Sequence, residues 1–173
     1  VNGTVTREHG AEGTLSTAVY SDCETYRYAL TREWDAGLPK VAFVMLNPST
    51  ASELRNDPTV ERCERRARAW GYGAFRVTNL FAFRATDPKD LKLAGDPVGP
   101  LNDEALRDCA EWADRVIAAW GVHGVYRGRG PEVCRLLGET GVAIGHLGLT
   151  KDGHPRHPLY VGYAVGPVGW LPA

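Results

Sequence analysis

The sequence predicts a single-domain α/β fold of three layers, α/β/α, with a mainly parallel central sheet between the helices. Three observations carry that reading. Apolar runs alternate with amphipathic segments from residue 40 to 150, the pattern of a parallel sheet wrapped by crossover helices. The run "KVAFVML" (40–46) is apolar almost throughout, as in strands covered on both faces. Asp57 and Pro58 supply a capping acid and a first-position proline for a helix that Gly71 ends. At 173 residues, with no repeat, low-complexity tract or linker, the chain is expected to form one domain over 1–173.

The elements follow in order. Residues 1–13, "VNGTVTREHGAEG", are expected to be a loose amino-terminal arm. They lack a basic start and an apolar core, so no signal peptide is expected. No apolar run approaches membrane-spanning length, and the expected location is the cytoplasm. "STAVY" and "TYRYALTREW" are rich in β-branched and aromatic residues. In the second, Tyr26, Tyr28 and Leu30 alternate with Arg27, Ala29 and Thr31, which predicts an antiparallel pair or edge strands. The first helix buries Val60, Cys63, Ala67 and Trp70. "AFRVTNLF" (74–81) is the next strand. A long loop (82–100) leads to a helix from about Asn102 to Ala113. "RVIAAW" (115–120) is a strand, "GPEVCRLLGE" (130–139) a helix and "VAIGHLGL" (142–149) a strand. After the loop "TKDGHPRHPLY" (150–160), "YVGYAV" (160–165) is a candidate last strand.

The formal net charge of −1 argues against indiscriminate attachment to nucleic acid. Between Glu61 and Lys92, however, eight Lys and Arg face four acids, and Arg127, Arg129 and Arg135 form a second group. Arg65, Arg66 and Arg68 read as a solvated helix face, whereas loop arginines suit phosphates. The four cysteines (Cys23, Cys63, Cys109, Cys134) form no Cys-x-x-Cys pair and read as buried, reduced thiols. No metal and no cofactor is expected.

Three polar groups fall just past apolar strands: "NPST" (47–50), "TNLFAFRAT" (78–86) and "HPRHPLY" (154–160). In a parallel sheet these share the carboxyl edge, where ligands bind. Pro48 holds Asn47 in an extended pose, so its amide either orients a water or heterocycle or merely closes an Asn-Pro turn. Asn79 either reads a base edge or ties off a strand end. Phe81 and Phe83 either stack on a base or join the core. His157, with His154 and Arg156 close by, offers a neutral imidazole able to hydrogen-bond charge on a leaving group. "GVYRGRGPEV" lacks the lysine of a phosphate-binding loop. Neither a nucleophile elbow nor a carboxylate pair is evident.

Taken together and in order, "MLNP" (45–48), "FRVTNL" (75–80) and "HPLY" (157–160) resemble the motifs of the uracil-DNA glycosylase superfamily, above all its mismatch-specific and thymine-DNA branch. Met45 stands where that branch carries glycine. Over its whole length the chain is similar to a small bacterial and phage family known as a domain of unknown function, through "YRYALTREW", "MLNPSTA", "DPTVERC", "NLFAFRATDP" and "PRHPLY".

The glycosylase resemblance implies a monofunctional enzyme that excises uracil or another deaminated or mismatched base from DNA. Asn47 would position the water and His157 would stabilise the leaving base. Met45, Leu46, Pro48, Ser49, Asn79, Phe81, Phe83 and His154 would surround the base. Arg84, Arg127, Arg129 and Arg156 would hold the strand, while Leu159 or Tyr160 fills the gap left by the flipped nucleotide. The implied partner is DNA, single- or double-stranded, with no membrane and a monomeric protein. Two alternatives stand beside it: a non-catalytic module for nucleic acid or modified nucleotides, and an enzyme of free nucleosides or nucleotides.

Overall fold

A computed structural model of the chain describes residues 3–171. Strands β1 (Thr4–Ala11), β2 (Thr14–Ser21) and β3 (Arg27–Glu33) come first, then β4 (Lys40–Met45), helix α1 (Pro58–Ala69) and β5 (Ala74–Asn79). Helices α2 (Pro88–Leu93) and α3 (Asn102–Trp112) precede β6 (Arg115–Ala118). Helix α4 (Arg129–Glu139), β7 (Ala143–His146) and the short β8 (Val168–Gly169) complete the order. One eight-stranded sheet runs β1-β2-β3-β5-β4-β6-β7-β8.

The expectation of a mainly parallel sheet needs correction. Strands β5, β4, β6 and β7 pair in parallel, but β1-β2, β2-β3, β3-β5 and β7-β8 are antiparallel, four pairings against three. The parallel unit is a central block with antiparallel wings. Crossover helices build the block, and hairpins extend it at lower cost in chain length.

Strand β4 shows why the core divides in two. Residues 41–46 are all buried. Side chains alternate across a strand, so Val41, Phe43 and Met45 face Val60, Cys63 and Ala67 of α1. Ala42 and Val44 face Leu106, Cys109 and Ala110 of α3 and Val133, Leu136 and Leu137 of α4. Each fully buried large side chain here, Phe43 for one, stabilises the fold by about 1.5–3 kcal/mol. The helix start follows the sequence reading: Asp57 Oδ1 accepts from Val60 N at 2.9 Å, and Pro58 opens α1.

The loose arm also needs correction. Residues 4–11 pair with β2 from Thr4↔Ser21 to Ala11↔Thr14, and residues 1 and 2 lie outside the described residues. The two-residue turn, Glu12 (φ 51) and Gly13 (φ 78), has the left-handed backbone of a tight hairpin. Strand β1 is exposed over most of its length, so it carries no apolar alternation to betray it.

The long loop 82–100 contains α2, capped by Asp87, whose side chain accepts from Lys89 N. The expected strand at 160–165 is absent; a 3-10 turn (Pro158–Tyr160) and irregular chain replace it. Arg66, 1% exposed, takes the carbonyls of Val161, Gly162 and Val165 at 2.8–2.9 Å, so those acceptors are used by a side chain rather than a ladder.

Cys63 and Cys109 lie buried on helix faces, and burial pushes both thiols up, Cys109 to about 11. Cys23 departs from the expectation of a buried thiol. It is exposed, and hydrogen bonds with Ser21 and Thr25 lower it to about 7. No helix among the described residues is long and apolar enough to cross a membrane.

Replacing Arg66 with methionine removes its bonds to three carbonyls, of which that of Val161 is buried. The expected cost is about 2–3 kcal/mol in urea denaturation, the scale of lost hydrogen bonds to a charged group. A variant as stable as wild type would show that the carboxyl-terminal segment is held by other contacts.

Candidate functional site

The chain leaves β4 for a helix on one face of the sheet and leaves its neighbour β6 for a helix on the other. The loops diverge there, and a crevice opens outside the carboxyl ends of the two strands, as expected at a topological switch point. A cleft of about 770 Å³ occupies that position. Its lining includes Met45, Leu46, Asn47 and Ser49 after β4, Asp57 and Thr59 at the start of α1, and Trp120 after β6. The loop after β7 adds Arg156, His157, Leu159 and Tyr160. Two segments singled out by sequence, 45–49 and 156–160, therefore meet across one crevice.

Asn47 is locked from one end. Its Nδ2 donates to the carbonyls of Ala85 at 2.7 Å and Pro48 at 3.1 Å, and Ala85 N donates to Pro48 O at 2.9 Å. Two carbonyl neighbours fix which end of the amide is nitrogen. The Oδ1 end accepts no hydrogen bond from the described residues, which leaves a free acceptor on a residue that lines the cleft.

His157 is held as firmly. Its Nδ1 accepts from Leu159 N at 3.3 Å, which places the proton of the neutral ring on Nε2. Burial pushes its pKa below the usual histidine range, opposed in part by the nearby Asp57 carboxylate. The loop carrying it is pinned to the end of β6 because Gly121 N donates to Pro155 O at 2.8 Å. Gly121 has φ 75, a left-handed backbone that side chains rarely adopt, and a Cβ there would lie in ordinary contact with His157 Cβ at 3.6 Å. The result is a positioned, neutral N–H donor.

At the rim, Leu159 is 37% exposed and Tyr160 79%. Arg156 is exposed beside them, its Nε turned to Leu149 O at 3.3 Å. Pro48 is buried behind Asn47 as a carbonyl anchor.

The other expected site residues are not brought to the cleft. Asn79 is 1% exposed, paired with Met45 in the parallel ladder, and neither end of its amide has a partner. The pairing continues past it, with Leu80 N on Met45 O and Phe81 N on Leu46 O, so the chain has not yet left the sheet at Asn79. Phe81 is fully buried against Tyr126, and Phe83 packs edge-on against Tyr26. His154 lies in the turn that closes on Thr150 and does not line the cleft.

Of the arginines, Arg84 covers the Tyr20 ring and donates to Glu24 O, while exposed Arg127 lies against Tyr126. Arg129 is 2% exposed, paired with Asp103 and Glu132 and bonded to Leu80 O. It is a core cation with its own counter-charges.

Trp120, Asp57 and Arg27 are among the cleft residues that sequence reasoning missed. Trp120, 4% exposed and packed against Trp170, is an aromatic residue of the lining. Asp57 was legible only as a helix cap. Arg27, 2% exposed, is placed by the alternation with Ala29 and Thr31, on the face opposite Leu30. In β3 the register to β2 slips: Ala29 opposes Val19 but Arg27 opposes Tyr20, leaving Tyr28 as an extra residue. That bulge turns Arg27 onto the face shared by Ala18, Tyr20 and Leu30. No alternation in the sequence signals it.

Because burial holds His157 and His146 neutral, with folded pKa values below the unfolded one, protons bind the unfolded chain preferentially as pH falls. The stability they contribute is intact above about pH 6.5 and is lost as pH falls through the folded pKa values. Chemical denaturation between pH 7.5 and 5 is expected to show declining stability, with a shallower slope in His157→Gln. An unchanged slope in that variant would place the acid sensitivity elsewhere.

No curated protein and no solved structure matches the chain. A family profile described as protein of unknown function (DUF1643) matches residues 27–159, a span that starts at Arg27 and ends at Leu159. That span covers well over half of the chain, which therefore belongs to the DUF1643 family.

Proposed function

We propose that the cleft hydrolyses an N-glycosidic bond, as a monofunctional DNA glycosylase acting on uracil or another deaminated or mismatched base. The observation that carries the reading is the pairing, in one crevice, of a neutral Nε2–H on His157 with the acceptor Oδ1 of Asn47. Breaking the bond between C1′ and the base nitrogen leaves the electron pair on the base and positive charge on the sugar. A donor that is already neutral and fixed can strengthen its hydrogen bond as negative charge grows on a base oxygen. Asn47 Oδ1 accepts a hydrogen from water and turns a water lone pair toward C1′. The water oxygen forms the new bond, and its proton passes to solvent or to the released base.

The surroundings support the same chemistry. Trp120, Met45 and Leu46 give an apolar, largely buried lining. Leu159 and Tyr160 stand exposed at the rim, where an apolar wedge can replace a flipped nucleotide in its stack. The resemblance of "MLNP" (45–48) and "HPLY" (157–160) to motifs of the uracil-DNA glycosylase superfamily adds to this support. Asn79, Phe81 and Phe83 take no part in the reading.

Abasic-site formation on labelled oligonucleotides tests it, with uracil, hypoxanthine, xanthine and G·T sites in single and double strands. Wild type is expected to generate abasic sites on at least one substrate. Asn47→Ala and His157→Ala are each expected to lower the rate about 10²–10³-fold, the usual cost of removing a transition-state partner. Cleavage that survives both substitutions, or a folded wild type inert on every substrate, would overturn the assignment.

A further inference from the structure

Arg27 is not used by the mechanism above, and its setting is unusual. It is 2% exposed and lines the cleft, yet no carboxylate among the described residues lies within ion-pair distance of it. Nη1 donates to Ala51 O at 2.8 Å, while the buried Nε has no partner. Buried charges are ordinarily paired, and Arg129 in this same chain has two acids. The charged and titratable groups around Arg27 are Asp57 and Tyr20, which favour its cation, and Arg84 and Arg32, which oppose it. Asp57 already accepts from Val60 N and Ala51 N, so much of its acceptor capacity is committed elsewhere. The Tyr28 bulge delivers the arginine to this face.

We infer that Arg27 makes the floor of the cleft a subsite for an oxygen group that is anionic or presents only acceptors, resting on the reading of this cleft as the ligand site. A guanidinium has donors and no acceptor, so it donates to carbonyl or phosphate oxygens and repels an amino edge. Two sources share that chemistry. One is an oxo base: deamination replaces an exocyclic amino donor by a carbonyl acceptor, so a donor-only floor separates uracil from cytosine and hypoxanthine from adenine. The same charge favours a base that departs as its anion. The other source is the phosphate of a free nucleotide.

The test titrates inorganic phosphate, uracil, cytosine, uridine and uridine monophosphate into wild type, Arg27→Met and Arg27→Lys. Calorimetry reads the binding, and circular dichroism confirms each fold. Expected is binding of uracil or phosphate that Arg27→Met weakens about tenfold or more, with partial recovery in Arg27→Lys. Cytosine is expected to show no dependence on Arg27. Uracil dependence identifies the oxo base, whereas a gain of uridine monophosphate over uridine that vanishes in Arg27→Met identifies the phosphate.

Should Arg27→Met not fold, the wild-type arginine Nε–H spectrum, assigned with Arg27→Lys, is expected to show that one signal move on adding the binding probe. Binding of every probe unchanged by both variants, no binding of any probe, or a stationary Nε–H signal overturns the subsite. Abasic-site activity with Arg27-independent binding would sink the subsite and spare the hydrolase. Arg27-dependent phosphate binding with a silent abasic-site assay would do the reverse.

Discussion

Strand β4 is buried on both faces, and that constraint organises the rest of the molecule. Its odd residues pack on α1 and its even residues on α3 and α4, so neither helical layer can be displaced without opening a core. A strand so enclosed can expose polar side chains only past its end. The first such residue is Asn47. Because β6 lies beside β4 and sends its chain to the opposite helical layer, the same edge that frees Asn47 also opens the crevice.

The crevice is built from loops, but these loops are fastened. Asn47 ties the β4 loop to Ala85, Gly121 ties the β6 loop to Pro155, and Arg66 holds the chain after Tyr160. Each bond is a side chain or amide meeting a backbone carbonyl, so the segments are positioned by groups whose conformations the neighbouring elements already fix. Positioning of this kind suits a site whose chemistry depends on small, directed hydrogen bonds rather than on a strong nucleophile.

Much of this was legible in the sequence, and the failures share physical causes. The α/β alternation, the start of α1 and the placing of Asn47 and His157 rest on local signals: an apolar run, a capping acid, a proline beside each polar residue. Asn79 carried the same strand-end signal, but hydrogen bonding with the β4 segment continues through Phe81 and holds the amide inside the sheet. Pairing length is a property of two strands, and one strand's sequence does not state it. The exposed hairpin strand β1 and the mixed character of the sheet were hidden for related reasons: edge strands need no apolar face. Arg27 was lost to one extra residue, Tyr28, that reverses which face its side chain takes. Arg129, read as a phosphate contact, is satisfied by Asp103, which lies 26 residues earlier in the chain.

The proposed hydrolysis requires a flipped base to lie in this cleft between Asn47 and His157. Its most direct test is a crystal structure with a duplex carrying 2′-fluoro-arabino-uridine opposite guanine, a nucleotide whose glycosidic bond resists hydrolysis. Expected is the uracil extruded into the cleft, one carbonyl within hydrogen-bond distance of His157 Nε2, and Tyr160 or Leu159 in the vacated stack. A duplex bound with its uracil still stacked, or bound at another face of the protein, would contradict it.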